Sequence, residues 1–243
     1  MASSPASEYD FALRPRADVS LERIGHEQEP VLIIEGLVQD PAQLIEYAAR
    51  EVSFEPVWGP QGGYPGVRAP APLNFVGAAV RALSPMVERA FGLASVKLAR
   101  AQCSFSLVTL PPERLAPLQR IPHIDTTDPL QFAILLYLCE PRFGGTAFYR
   151  HRATGFEALT PERKPVYEEV RERELSEGAD DRYIAGDTPH YVQTAAFEAA
   201  MGRLLVYRSR ILHSGQIDPE TPLSDDPRRG RLTANIFVNY RRS

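Results

Sequence analysis

Alternation of apolar and polar residues dominates the second half of the chain and predicts β-strands there. Residues 97–109 place Cys103, Phe105 and Leu107 on one face and polar side chains on the other. A period of two residues is typical of a strand with one buried face. A charged helix is expected at 160–176, and apolar runs predict further strands at 131–139, 146–150, 203–212 and 232–240.

The first part of the chain predicts helices instead. Residues 1–28 are polar and mixed, so we expect a loosely attached arm or an edge element there. The apolar run at 31–34 predicts one buried strand, and capping signals predict helices at 40–52 and 74–91. Residues 55–72 carry five prolines and four glycines, which predicts a structured loop without a helix or a strand ladder.

Composition excludes several classes of protein. With 44% hydrophobic and 24% charged residues, the chain is not collagen, a coiled coil or a disordered tail. The net charge of −4 is spread evenly, which argues against nucleic-acid binding, and no apolar run approaches the ~18–20 residues that span a membrane. The absence of an apolar leader and the two cysteines, Cys103 and Cys139, favour a cytoplasmic location.

A candidate metal site emerges from two of the five histidines. His123 and Asp125 are two residues apart, so on an extended segment both side chains point to the same side. His213 ends the predicted strand at 203–212, where the chain turns. Two imidazoles and one carboxylate form a facial triad that leaves coordination positions open and favours Fe(II). His151 and His190 are rival ligands, but neither is followed by a strand that carries an arginine.

A candidate anion site lies on the last predicted strand. Arg231 and Thr233 share one face of it, and an arginine beside a hydroxyl can bind a carboxylate through charge-assisted hydrogen bonds.

The order of these motifs resembles the Fe(II)/2-oxoglutarate-dependent dioxygenase superfamily, with the prolyl-hydroxylase-like branch as the most similar. Besides the metal and anion motifs, the resemblance rests on Tyr137-Leu138 and on the segment from Phe143 to Phe148, and it covers residues 97–240. It implies an α+β fold with a double-stranded β-helix (jelly roll) at 96–243, buttressed by N-terminal helices at 29–95, in a single domain over 1–243.

The resemblance also implies a site and an activity. Fe(II) would be bound by His123, Asp125 and His213, and the cosubstrate 2-oxoglutarate by Arg231 and Thr233. The enzyme would use O2 to hydroxylate its substrate, releasing succinate and CO2, and the presence of the carboxylate favours hydroxylation over halogenation.

Several positions depart from the superfamily pattern. The tyrosine that often binds 2-oxoglutarate is missing from the strand before the first histidine, where Ser104 or Ser106 are the substitutes. Tyr137 is a further candidate for cosubstrate contact. The gap between His213 and Arg231 is long, which leaves Arg229 as a rival anchor.

The substrate is expected to be a small molecule or a peptide, most simply an amino-acid side chain. Candidate contacts are Trp58, Tyr64 and Arg68 in the predicted loop, and His190 at the end of a second lid candidate, 177–190. Two other functions stay open: a catalytically silent module that binds metal and a carboxylate, and a cupin-like metalloenzyme that does not use 2-oxoglutarate. The sequence does not indicate an oligomeric state.

Overall fold

A computed structural model describes residues 9–59, 62–178, 181–218 and 220–243 of the protein. Within these ranges it contains three α-helices: α1 (Pro41–Arg50), α2 (Leu73–Ala90) and α3 (Arg163–Glu177). The strands are β1 (Asp18–Ile24), β2 (Glu29–Glu35), β3 (Glu55–Gly59), β4 (Gly62–Pro70), β5 (Val96–Val108), β6 (Gln131–Tyr137), β7 (Thr146–His151), β8 (Tyr191–Phe197), β9 (Leu204–Arg208), β10 (His213–Gly215) and β11 (Leu232–Arg242). None of the helices in this described part combines the length and apolarity needed to span a bilayer.

The strands form two antiparallel sheets. The large sheet has the order β1-β2-β9-β6-β11-β5-β4-β3, and the small sheet has the order β10-β7-β8. Helices α1 and α2 contribute to the core on one face of the large sheet, while the small sheet packs on its other face. Helix α3 contributes Tyr167 to a separate cluster with the small sheet. The described chain is therefore a mostly antiparallel β protein in layers.

Alternation along β11 explains how this strand serves both faces. Leu232, Ala234 and Ile236 belong to the core that contains α1 and α2, whereas Thr233 and Asn235 point to the side of the small sheet. Because β11 is paired on both edges, with β5 and β6, its position is well determined. The polar side chains of this central strand are thus presented to the space between the sheets.

Several predicted elements are confirmed. Strand β2 includes the apolar run at 31–34, and α1 begins after Asp40, whose carboxylate accepts a hydrogen bond from the amide of Ala42 at 3.1 Å. The helix at 74–91 is α2, and the charged helix is α3. Of the polar N-terminal segment, residues 18–24 form the edge strand β1, while residues 1–8 lie outside the described chain.

The prediction of a loop at 55–72 was wrong. Strands β3 and β4 form a hairpin there, and β4 pairs with β5 over residues 66–70. Pro56 is tolerated because β3 lies at the edge of the sheet, where an amide hydrogen need not join a ladder, and Pro65 of β4 lies where the register with β3 shifts. Glycine helps for a second reason: a Cβ at Gly66 would overlap the carbonyl oxygen of Leu107. Residues 60–61 of the predicted loop lie outside the described residues.

Two other strands differ from the prediction. The expected strand at 203–212 ends as β9 at Arg208, and a turn separates it from the short β10 that carries His213. Strand β8 was not predicted at all. Its residues are mostly half-buried, so they lack the apolar run that the other strands of the second half show.

Candidate metal and cosubstrate site

A cavity of about 360 Å³ has walls from both sheets. It collects polar side chains from β4, β11 and the segment around residue 123, together with apolar side chains of β6. Its volume is at the lower end of the roughly 300–1,000 Å³ typical of small-molecule sites. The cavity therefore suits small ligands.

The side chains of His123, Asp125 and His213 meet in this cavity. One ligand atom from each lies within 4.8 Å of the others, and the His213 Nε2 is 3.9 Å from the Asp125 Oδ2. Among the described residues, no other histidine, cysteine or carboxylate group of three meets in this way. The three donors can hold one metal ion on one side and leave its other positions free.

Main-chain hydrogen bonds bring the triad together. The amide of His123 donates to the carbonyl of His213 and the amide of His213 to that of His123, both at 2.9 Å. The Asp125 amide donates to the Ser209 carbonyl at 2.8 Å. The His213 Nδ1 lies 2.8 Å from the carbonyl of Ile211, which orients Nε2 toward the shared point. Ligand orientation is thus built into the backbone.

Loss of solvation favours the neutral form of both imidazoles. His213 is buried and His123 is partly exposed to solvent, and desolvation lowers the pKa of each to about 4. For His123, the neighbouring His213 lowers the pKa further, while Asp125 opposes this effect. Burial raises the pKa of Asp125, and the charge of His123 opposes that rise. Neutral imidazoles are the form that binds metal ions.

Arg231 lies deep in the same cavity and is only 4% exposed. Its Nη2 donates a hydrogen bond to the carbonyl of Gly145 at 2.6 Å, while its buried Nε has no partner within the described chain. An unpaired buried guanidinium is costly unless a ligand compensates it. Thr233 is also buried there, whereas Arg229 is exposed and does not line the cavity.

Tyr64 and Arg68 enter the cavity from the β3–β4 hairpin. The Tyr64 hydroxyl is buried near the Thr233 hydroxyl, without a well-formed hydrogen bond to it. Burial raises the pKa of Tyr64, and the positive charges of Arg231 and Arg68 oppose the rise. The Arg68 guanidinium stacks 4.7 Å from the centre of the Tyr64 ring. The sequence did not predict this hairpin. It nevertheless places two of the predicted substrate contacts in the cavity of the metal triad.

Besides Arg229, five candidate residues do not line this cavity: Tyr137, Ser104, Ser106, Trp58 and His190. Tyr137 is fully buried beside it, where its hydroxyl donates to Thr146 Oγ1 at 2.7 Å. Ser104 is half-buried on β5, and Trp58 is 36% exposed and stacks with Arg114.

His190 lines a separate cavity of about 70 Å³. Its Nδ1 lies 3.4 Å from the Glu174 carboxylate, which is also 2.8 Å from the Nε2 of His151. Both rival histidines are thus engaged with α3. Of the lid candidate 177–190, residues 179–180 lie outside the described chain, and Tyr183 reaches the main cavity.

Sequence reasoning missed Asn235 and Tyr207. The buried Asn235 Oδ1 has no hydrogen-bond partner in the described chain, although alternation from Arg231 and Thr233 would have placed it on the same face. The Tyr207 ring lies 4.9 Å from that of His213, and burial raises its pKa. No local pattern on β9 distinguishes this tyrosine from a core residue.

Comparison with known proteins assigns the chain to a family whose function is not known. Residues 15–238 match the family of unknown function DUF6445. The chain belongs to this family. No curated protein matches its sequence.

Among solved structures, the chain is similar to SnoN, the non-heme alpha-ketoglutarate-dependent epimerase from nogalamycin biosynthesis. That match has 11% identity and a TM-score of 0.47, and covers 89% of this chain and 79% of SnoN. HygX from Streptomyces hygroscopicus, solved with nickel, 2-oxoglutarate and hygromycin B, is 13% identical over 88% and 84% of the two chains, with a TM-score of 0.46. An N-substituted L-amino acid dioxygenase from Burkholderia ambifaria is 11% identical over 92% and 94%, with a TM-score of 0.39. These likenesses are distant, so the function has to be argued from the site itself.

Proposed function

We propose that this DUF6445 protein is an Fe(II)- and 2-oxoglutarate-dependent oxygenase that hydroxylates a small molecule. The observation that carries the proposal is the presence, in one cavity, of a two-histidine, one-carboxylate cluster and a buried arginine whose Nε has no hydrogen-bond partner among the described residues. Either feature alone fits several functions. Together they fit a metal ion and a carboxylate ligand that are bound side by side.

The donor set fits Fe(II). His123, His213 and Asp125 offer two nitrogens and one oxygen, a combination that leaves coordination positions for a chelating cosubstrate and O2. The depressed pKa of both imidazoles keeps them ready to bind the metal at neutral pH.

The anion site fits the distal carboxylate of 2-oxoglutarate. We assign Arg231 as its main partner, with the Thr233 hydroxyl beside it. The Tyr64 hydroxyl is buried near that of Thr233 without a well-formed hydrogen bond, so it can donate one to the same carboxylate. The superfamily often binds 2-oxoglutarate with a tyrosine on the strand before the first histidine, which is β5 here. Ser104 of β5 does not line the cavity, and this supports Tyr64 of the neighbouring strand β4 in that role.

Strand order supports a jelly-roll core in a single domain. The central strands β5-β11-β6-β9 of the large sheet face β10-β7-β8, and the His123 segment bridges to His213 at the edge of the small sheet. This interleaving of sequence-distant strands in two facing sheets is what a double-stranded β-helix requires. Helices α1 and α2 would buttress it from the outer face of the large sheet.

With Fe(II) and 2-oxoglutarate bound, the cosubstrate would lose CO2 and take one oxygen atom of O2 to become succinate. The other oxygen atom would be inserted into a C–H bond of the substrate. The protein's part is to orient and to exclude water. Backbone hydrogen bonds fix the triad, Arg231 fixes the direction of the cosubstrate, and apolar residues such as Leu135 and Ile217 line the remaining space.

Succinate production tests this proposal. Purified protein supplied with Fe(II), O2 and 2-oxoglutarate should release succinate, and His213→Ala should not. The matched control is His26→Ala, since His26 is exposed and lies outside the cavity. Unchanged turnover in His213→Ala would rule out the triad.

The two alternative functions give different results. A silent binding module would bind Fe(II) and 2-oxoglutarate without releasing succinate from any substrate pool. A cupin-like metalloenzyme would show metal-dependent activity that Arg231→Ala does not change.

A further inference from the structure

Arg68 is a second cation in the cavity of the metal triad, where its charge lowers the pKa of Asp125 without a direct ion pair. Among the described residues it forms no ion pair, and its one hydrogen bond runs from Nε to the Ser106 hydroxyl at 3.1 Å. The ladder explains its direction, because Arg68 lies opposite Ser106 on β5, and Ser106 lies opposite Thr233 on β11. The two Nη groups of Arg68 are therefore free to bind a ligand in the cavity.

Charge balance indicates what that ligand carries. In the proposed loaded state, a dication, the Asp125 carboxylate, the dianion of 2-oxoglutarate and Arg231 sum to zero. Imidazoles bind a metal ion in their neutral form, so Arg68 remains as one uncompensated positive charge among the described lining residues. A charge in a partly desolvated site is stable only when it is paired. The missing partner is a single negative charge.

The walls of the cavity add a second constraint on the ligand, which concerns its size and polarity. Apolar side chains of Val108, Leu118, Ile121 and Ile217 line the cavity together with the ring of Tyr183. The cavity volume of about 360 Å³ must also accommodate the cosubstrate. The space that is left suits a small, mainly apolar body and not a folded protein segment.

We propose that the substrate is a small free monocarboxylate whose carboxylate pairs with Arg68 and whose apolar part lies against these walls. This inference rests on the proposed function and narrows its substrate class. A planar guanidinium binds a carboxylate through two parallel hydrogen bonds, which fixes the orientation of the ligand as well as its charge. Arg68 would thus be the residue that selects free acids over their amides and over uncharged residues inside a peptide.

Matched acid and amide pairs test the assignment. The anaerobic Fe(II)·2-oxoglutarate form of the protein is titrated with butanoate, hexanoate and octanoate and with the corresponding primary amides. Binding is followed by calorimetry and by the change in the visible charge-transfer band. Wild-type protein and the Arg68→Gln, Arg68→Lys and Arg241→Gln variants are compared. Arg241 is the matched control because it is exposed at the far end of β11.

We expect at least one acid to bind wild-type protein about tenfold or more tightly than its amide, since a hydrogen-bonded charge pair is involved. Arg68→Gln should remove this preference, Arg68→Lys should restore part of it, and Arg241→Gln should keep it in full. Thermal unfolding of each variant shows whether it is folded.

Four results would overturn the carboxylate assignment. They are equal binding of acids and amides to wild-type protein, binding of no acid at millimolar concentration, an acid preference that survives Arg68→Gln, and displacement of 2-oxoglutarate by the acids. If the charge-transfer band never forms with 2-oxoglutarate alone, the proposed function itself fails. That result is distinct from a normal band that no acid perturbs.

Discussion

Replacing Arg231 by methionine should separate cosubstrate binding from stability. The change removes the buried charge but keeps a long apolar side chain beside the Tyr137 ring, whose centre is 6.0 Å from the guanidinium carbon. Loss of one partner of a buried charge pair costs about 2–5 kcal/mol in binding. The dissociation constant for 2-oxoglutarate should therefore rise by a factor of roughly 30 or more.

The folded protein should lose little stability in Arg231→Met. Arg231→Met removes one of the two donors to the Gly145 carbonyl, which keeps its hydrogen bond from the Gln216 amide at 3.0 Å, so the cost is at the lower end of about 1–3 kcal/mol. Against this, the variant no longer buries a cation whose Nε lacks a hydrogen-bond partner in the described chain. Because the two effects oppose each other, we expect a net change of about 1 kcal/mol or less in the free energy of unfolding.

The assay combines an anaerobic titration of the Fe(II) protein with 2-oxoglutarate, read at the charge-transfer band, with urea unfolding. Arg229→Met is the control, since Arg229 is exposed and outside the cavity. A 2-oxoglutarate affinity within a few-fold of wild type in Arg231→Met would refute the anchor. If 2-oxoglutarate bound more weakly to Arg229→Met but not to Arg231→Met, Arg229 would be the anchor of the cosubstrate.

Two further predictions concern the fold around the site. Gly145→Ala should prevent folding or cost about 3 kcal/mol or more, because a Cβ there would overlap the carbonyl oxygen of Phe197. Gly155→Ala is the matched control in an unfolding assay, since nothing lies within 4 Å of a Cβ there and only the strain of its positive φ of 73° is expected. Equal losses of stability in the two variants would contradict the close approach of Gly145 to the Phe197 carbonyl. Metal-free protein should lose stability as the pH falls from about 6.5 to about 4, because the unfolded imidazoles take up protons in this window and the folded ones do not. For His213, which is 6% exposed, the loss is about 3 kcal/mol. His213→Gln should flatten the pH dependence measured by urea unfolding, and a slope equal to wild type would show that this ring is not held neutral.

Local patterns explain why much of the architecture could be predicted. Strands with one apolar face, such as β5 and β11, carry their period in the sequence itself, and Asp40 followed by proline marks the start of α1. The triad could be predicted for a similar reason. His123 and Asp125 are two residues apart in the chain, and His213 directly follows the apolar run at 203–212.

The β3–β4 hairpin could not be predicted because its pairing depends on residues far away in the chain. Glycines and prolines weaken the local strand signal, and β4 becomes a strand only through its ladder with β5. As a result, the sequence alone did not show that Tyr64 and Arg68 would face the same cavity as Arg231. The unpaired atoms of Arg231 and Asn235 are likewise visible only once every neighbour is in place.

Metal stoichiometry tests the central claim most directly. Metal-free protein is titrated anaerobically with Fe(II) in a calorimeter, alongside His213→Ala, Asp125→Ala and the exposed-histidine control His26→Ala. The account predicts one Fe(II) per chain in wild type and in the control, and loss of this binding in both triad variants. Equal binding of Fe(II) by wild type and His213→Ala would contradict it.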